Sequence, residues 1–184
     1  MPDDEFAIYA VGVSEIESAP LSPTATEADV PWLSDDEQRA WRAYLRGSRA
    51  LEAVLDAELQ DAGMSLAEYE LLSMLSEAPG QEMRMSRLAD QTVQSRSRVT
   101  HTATRLTRRG WVERRPAPDD GRGIQLKLND AGLAAVRSAS RVHATGVQEH
   151  LIRQMDPALF QSLGDAMRNV RNHLLGAETD NYNP

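Results

Sequence analysis

From Ser34 onward, apolar residues recur three and four positions apart. Trp41, Tyr44, Leu45, Ser48, Leu51, Leu55, Leu59 and Ala62 fall on one stripe, which predicts a long helix over 34–62. Ser34 and Glu37 are spaced as a capping box, and Gly63 suits the position just past the end. At 1.5 Å per residue such a helix is roughly 40 Å long, more than one small domain can bury. A partner subunit is the natural cover for the excess. A second box, Ser65 with Glu68, opens a helix whose inner face holds Tyr69, Leu72 and Leu75 and which stops at Pro79-Gly80. Residues 83–85 (MRM) read as a short strand. Ser86 is expected to cap a brief helix carrying Leu88 and Ala89, and a tight turn leads into a helix from about Ser95 to Arg109.

After Gly110 the period changes from helical to two. Trp111–Arg115 reads as a strand, 116–123 (PAPDDGRG) as a turn-rich tip, and Ile124, Leu126 and Leu128, alternating with Gln125 and Lys127, as a returning strand. Asn129 or Asp130 caps a further long helix, expected to reach about Gln154. Asp156-Pro157 opens the last one, with the stripe Leu159, Leu163, Met167, Val170 and Leu174. The expected fold is therefore mainly α with a small β-hairpin wing. It comprises an acidic flexible N-terminal tail (1–33), a long dimerisation helix (34–63), a winged helix-turn-helix domain (64–128) and C-terminal dimerisation helices (129–184). Within the tail, FAIYAVGV (6–13) is the one candidate strand.

Charge sharpens this picture. The chain of 184 residues has a net charge of −8, which is unfavourable for binding a polyanion. The average conceals an asymmetry. Residues 1–80 carry 4 Lys/Arg against 17 Asp/Glu, residues 81–128 carry 11 against 5, and residues 129–184 carry 5 against 6. A basic segment inside an acidic chain is an electrostatic footprint for nucleic acid. It coincides with the helix at 95–109. There Val99, Ala103 and Leu106 form the inner face, and Arg96, Ser97, Arg98, Thr100, His101, Thr104, Arg105 and Arg108 the outer one. Short polar side chains let a helix approach base edges in the major groove, while arginines read guanine or hold phosphates. Together with Ser95 these residues are the candidate DNA-binding set. Arg122, between two glycines at the hairpin tip, suits a narrow, electronegative minor groove, and Asp120 is placed to support it.

The run Ser95, Ser97, Val99, Thr100, Leu106, Gly110, followed by WVERR, Asp120-Gly121-Arg122 and LNDAG (128–132), resembles the MarR family of bacterial regulators. The resemblance extends over about 34–176 and is most specific over 64–133. Two positions depart from it: Asn129 stands where the family usually has threonine, and Gly121 where it often has a basic residue. The resemblance implies a homodimer joined through its first and last helices. It also implies a pseudo-palindromic operator on double-stranded DNA, repression, and release by a small, often aromatic, ligand. Trp41, Tyr44, Tyr69 and Trp111 are candidate walls for such a ligand, with ordinary packing as the alternative for each.

Other chemistries are disfavoured. The chain has no cysteine, which removes disulfides, thiolate metal sites and thiol redox sensing. His143 and His150 are two helical turns apart, roughly 10 Å, too far to share a metal unaided. No catalytic triad or phosphate loop is present, so neither a catalytic residue nor a cofactor or metal is expected. No apolar run reaches 18 residues, and the N-terminus lacks a secretory pattern, so a cytoplasmic protein away from membranes is expected. The rival function is a winged-helix protein–protein adaptor that does not contact DNA.

Overall fold

The computed structural model describes residues 30–117 and 123–175. Its elements are α1 (Asp35–Asp61), α2 (Leu66–Glu77), β1 (Glu82–Arg84), α3 (Met85–Gln91), α4 (Arg96–Arg108), β2 (Val112–Pro116), β3 (Ile124–Leu128), α5 (Asp130–His150) and α6 (Pro157–Leu175). The mainly helical fold class with a small antiparallel sheet is therefore observed. The tail through residue 29, with its candidate strand at 6–13, and the wing tip at 118–122 lie outside the described residues.

The helix starts follow their capping chemistry. Ser34 accepts a hydrogen bond from the Glu37 amide at 3.3 Å, and the Glu37 carboxylate takes the Ser34 amide at 2.7 Å. The same reciprocal pair joins Ser65 and Glu68, at 3.3 and 3.0 Å. In addition, Asp56 of α1 accepts from the Leu66 amide at 2.7 Å, which satisfies one more of the free donors at the start of α2. Asn129 caps α5 by accepting from the Gly132 amide at 2.9 Å, and Asp156 caps α6 through the Leu159 amide at 2.9 Å.

Two boundaries differ from the sequence reading. Arg84, in extended conformation, is the residue before α3, so Ser86 lies inside the first turn and does not cap it. The strand β1 runs straight into the helix and leaves no room for a separate cap. The long helix after the wing ends at His150; Ile152–Gln154 forms a tight single turn of 3₁₀ helix before α6.

The described chain groups into two compact units, residues 70–136 and residues 30–69 with 137–175. In the first, β3 lies between β1 and β2 in a three-stranded antiparallel sheet. The hairpin pairs Val112 with Leu128 and Pro116 with Ile124, and one further bond from the Ala117 amide to the Gly123 carbonyl (2.8 Å) extends it. The core of this unit is Leu71, Leu72, Leu75, Leu88, Val99, Leu106, Val112, Leu126 and Leu128, all essentially inaccessible to solvent. Gly132 is required by a close approach: a Cβ there would collide with the Trp111 carbonyl oxygen and the Leu128 side chain.

In the second unit α1 and α5 cross at Gly146, where a Cβ would meet Leu55 and Glu58. His150 Nε2 and Glu58 Oε1 are 2.7 Å apart. Only Leu55 and Leu59 of the α1 stripe are buried, while Trp41 and Tyr44 remain about half exposed. No residue of α6 is buried, and Leu159, Val170 and Leu174 are each about half exposed. The exposed parts of these apolar stripes have no cover within the described residues of one chain.

Candidate nucleic-acid interface

The candidate surface is α4, and its orientation is set by its own sequence. Val99, Thr102, Ala103 and Leu106 are buried, which turns Arg96, Ser97, Arg98, Thr100, His101 and Arg108 outward, with Thr104 and Arg105 at the margin. The outer face holds no acidic residue. Ser95 is the cap of this helix: its hydroxyl oxygen accepts from the Arg98 amide and lies 3.1 Å from that of Ser97. Ser95 thus fixes where the helix begins, at the end that a major-groove reader presents to base edges.

The threonines on this helix are more constrained than their exposure suggests. Thr100, Thr104 and Thr107 each donate their hydroxyl proton to the carbonyl four residues earlier, all at 2.8 Å. What Thr100 then offers outward is oxygen lone pairs and a methyl group, a surface suited to base amino groups or the thymine methyl.

The turn that enters α4 carries a backbone peculiarity. Val93 has φ 52°, in the left-handed region that β-branched side chains strongly avoid, and its side chain is exposed. Gln94, next to it, donates to Glu70 of α2 at 2.6 Å and so ties the turn to the preceding helix. At the other end of α4, the Arg109 guanidinium lies over the Trp111 indole, 4.1 Å from the ring centroid.

Arg114, on β2, is not among the residues that the sequence pattern points to. Its Nη2 donates to Thr104 Oγ1 at 2.7 Å and to the Thr100 carbonyl at 3.2 Å, linking wing to helix. The signal was available. In a strand, alternate residues share a face, and Arg114 is two positions from the buried Val112. Arg122 and Asp120, the wing-tip candidates, lie outside the described residues.

The four aromatic residues considered for a ligand fall into three pairings. Trp41 stacks on Tyr44 with centroids 5.8 Å apart, Tyr69 meets His143 at 4.4 Å, and Trp111 carries Arg109. Burial holds the His143 imidazole below its ordinary pKa of 6.5. His101 and His173 are exposed. Among the described residues, no group of three or more His, Asp or Glu is placed to hold a metal ion. No described helix is long and apolar enough to cross a membrane.

Comparison with known proteins places this arrangement among transcription regulators. A sequence profile of the MarR family matches residues 62–123. AbsC, a MarR family transcriptional regulator from Streptomyces coelicolor, is 37% identical; the likeness covers 80% of this chain and 99% of that one, with a TM-score of 0.75. Sco3205, a MarR family transcriptional regulator from the same organism solved in complex with DNA, is 38% identical over 82% of this chain and 95% of that one, with a TM-score of 0.77. The transcriptional repressor MprA of Escherichia coli (strain K12) is 26% identical over 117 residues, which span 64% of this chain and 64% of that repressor.

Proposed function

Because this chain belongs to the MarR family of transcriptional regulators, we propose that it represses transcription by gripping a pseudo-palindromic operator as a homodimer. The observation that carries the reading is the outer face of α4: arginines, a histidine and short hydroxyl side chains turned to solvent over a buried inner face of Val99, Thr102, Ala103 and Leu106. The DNA complex of Sco3205 supports the same use of this fold. The exposed stripes of α1 and α6 supply the surface through which two copies join. Two recognition helices would then reach major-groove segments roughly 34 Å apart.

Within α4, Ser97, Arg98 and Thr100 are assigned to base edges, with His101 and Thr104 beside them. Arg96, Arg105 and Arg108 are assigned to phosphates, and Arg122, supported by Asp120, to the minor groove. The test is selection of duplexes from a random library by the full-length protein, followed by titration at several salt concentrations. The expected result is an enriched inverted repeat whose binding weakens steeply with salt. Replacing a base reader should relax preference at particular positions. Replacing a phosphate-binding arginine should weaken all sequences alike and lower the salt slope by about one. Arg122→Ala should weaken the selected duplex strongly. No enrichment and no salt-dependent binding would favour the adaptor reading instead.

Release from the operator is assigned to a small aromatic ligand held by some of Trp41, Tyr44, Tyr69 and Trp111. The absence of cysteine in the chain supports this over a thiol switch. Screening phenolic compounds beside peroxide and zinc for loss of operator binding tests it; release by peroxide or zinc alone would overturn it.

A further inference from the structure

We propose that Arg114 is a positioning residue that locks the recognition helix to the wing, so that the two engage DNA as one rigid reader. The inference rests on the reading of α4 as the major-groove helix. Its basis is a closed set of hydrogen bonds. The Thr104 hydroxyl donates to the Thr100 carbonyl and accepts from Arg114 Nη2, and the same nitrogen also donates to the Thr100 carbonyl. Both hydrogens of Nη2 are thereby used, and two oxygen atoms one turn apart on α4 are fixed to one point on β2.

Three consequences follow from this geometry. Thr104 is held in the rotamer that turns its oxygen toward the wing and leaves its methyl as the group facing away. The turn of α4 that carries Thr100, assigned above to base edges, cannot shift along its axis without breaking two charge-assisted bonds, which are stronger than neutral ones. And β2, which continues through Pro116 toward the hairpin tip, inherits its angle from the helix. Arg114 itself needs no contact with a base to influence which base is read.

Lysine is a poor substitute in this place. The lysine nitrogen sits one bond nearer the backbone than Nη2, and its flexible stem and freely rotating ammonium do not hold two N–H groups at fixed angles toward a hydroxyl and a carbonyl. The role therefore belongs to the guanidinium and not to the positive charge, and this separates a strut from an ordinary phosphate contact.

The experiment uses the full chain and two duplexes of equal length: the best sequence that the wild type selects from a random library, and a random-sequence duplex. Arg114→Gln, Arg114→Lys and Thr104→Val are each expected to weaken the selected duplex about tenfold. Affinity for the random duplex and the salt slope should stay at the wild-type values in Arg114→Lys. Thr104→Ser, which keeps the oxygen, should keep the bridge and so lose less than Thr104→Val. The double variant Arg114→Gln/Thr104→Val should lose no more than either single one, because both remove the same bridge. In the DNA-free protein, amide hydrogen exchange at 104–108 should quicken in Arg114→Gln. Equal losses on both duplexes with Arg114→Lys fully active would show a phosphate contact and overturn the proposal, as would additive losses or unchanged exchange. If the wild type selects no duplex, the DNA reading itself fails, and the exchange comparison still decides whether the bridge exists.

Discussion

The imidazole of His143 on α5 rests against the phenol ring of Tyr69 on α2, with ring centroids 4.4 Å apart and planes inclined by 31°. Burial there disfavours the charged imidazolium, so the folded-state pKa lies below 6.5. The unfolded chain takes up this proton as pH falls through about 6.5, and the folded chain does so only at lower pH. The unfolded state therefore binds more protons in that window, and stability declines as pH falls. The contribution is complete above 6.5 and lost on acidification through the folded pKa. Urea midpoints between about pH 7.5 and 5.5 should fall more for the wild type than for His143→Phe. Parallel curves would show that His143 is not responsible.

Gly132 is expected to tolerate no side chain. Its Cβ would meet a backbone carbonyl, that of Trp111, which cannot rotate away as a side chain can. Gly132→Ala should cost about 2 kcal/mol in a denaturant titration. Gly164→Ala on α6 is the matched control, because nothing lies near its Cβ position. It should be neutral or stabilising by up to about 1 kcal/mol, as for any exposed helical glycine. Similar losses in both variants would refute the steric account.

Val93 should be a site of easy stabilisation. A left-handed backbone costs a residue with a Cβ about 1–2 kcal/mol, and this side chain is 47% exposed, so little packing is at stake. Glycine relieves the strain but adds freedom to the unfolded chain. The net expectation for Val93→Gly is a gain of about 0.5–1 kcal/mol, read as a higher melting temperature. A loss would mean that the isopropyl group makes contacts worth more than the strain.

Val170→Asp places a charge in the exposed stripe of α6, where Val170 is 49% exposed in a single chain. Light scattering at micromolar concentration should give twice the chain mass for the wild type and the chain mass for the variant, because an unpaired charge in an apolar interface is strongly disfavoured. A dimeric variant of undiminished affinity would place the interface elsewhere.

Much of this was legible in the sequence because the relevant signals are local. The switch of period at Gly110 marks where helix gives way to hairpin, and the reciprocal Ser–Glu pairs mark two helix starts. The outer face of α4 follows from three buried positions four and three apart. What escaped is what depends on contacts between distant segments. Ser86 reads as a cap until β1 is known to pair with β3 and to run directly into α3. The partnership of Tyr69 with His143 depends on how α5 passes α2, which no periodicity encodes. Arg114 looks like one more basic residue in WVERR, and only the approach of β2 to α4 shows that its guanidinium is turned back onto the helix. The exposed half of α1 is a milder case: its stripe was visible, but a stripe does not say who covers it.

The last helix carries a consequence of its own. Nineteen residues of α6 form without one of them being buried. A peptide of that length in water holds its helix only marginally, since propensity alone barely repays the cost of nucleation. Whatever lies against its apolar side therefore supplies the free energy that keeps it wound. If a second copy does so, folding of this end and self-association are a single equilibrium, and dilution acts on it as a denaturant would. A scarce chain would then be a partly unwound chain, exposed to proteases, so that the amount of the regulator in a cell would help to set how long each molecule lasts.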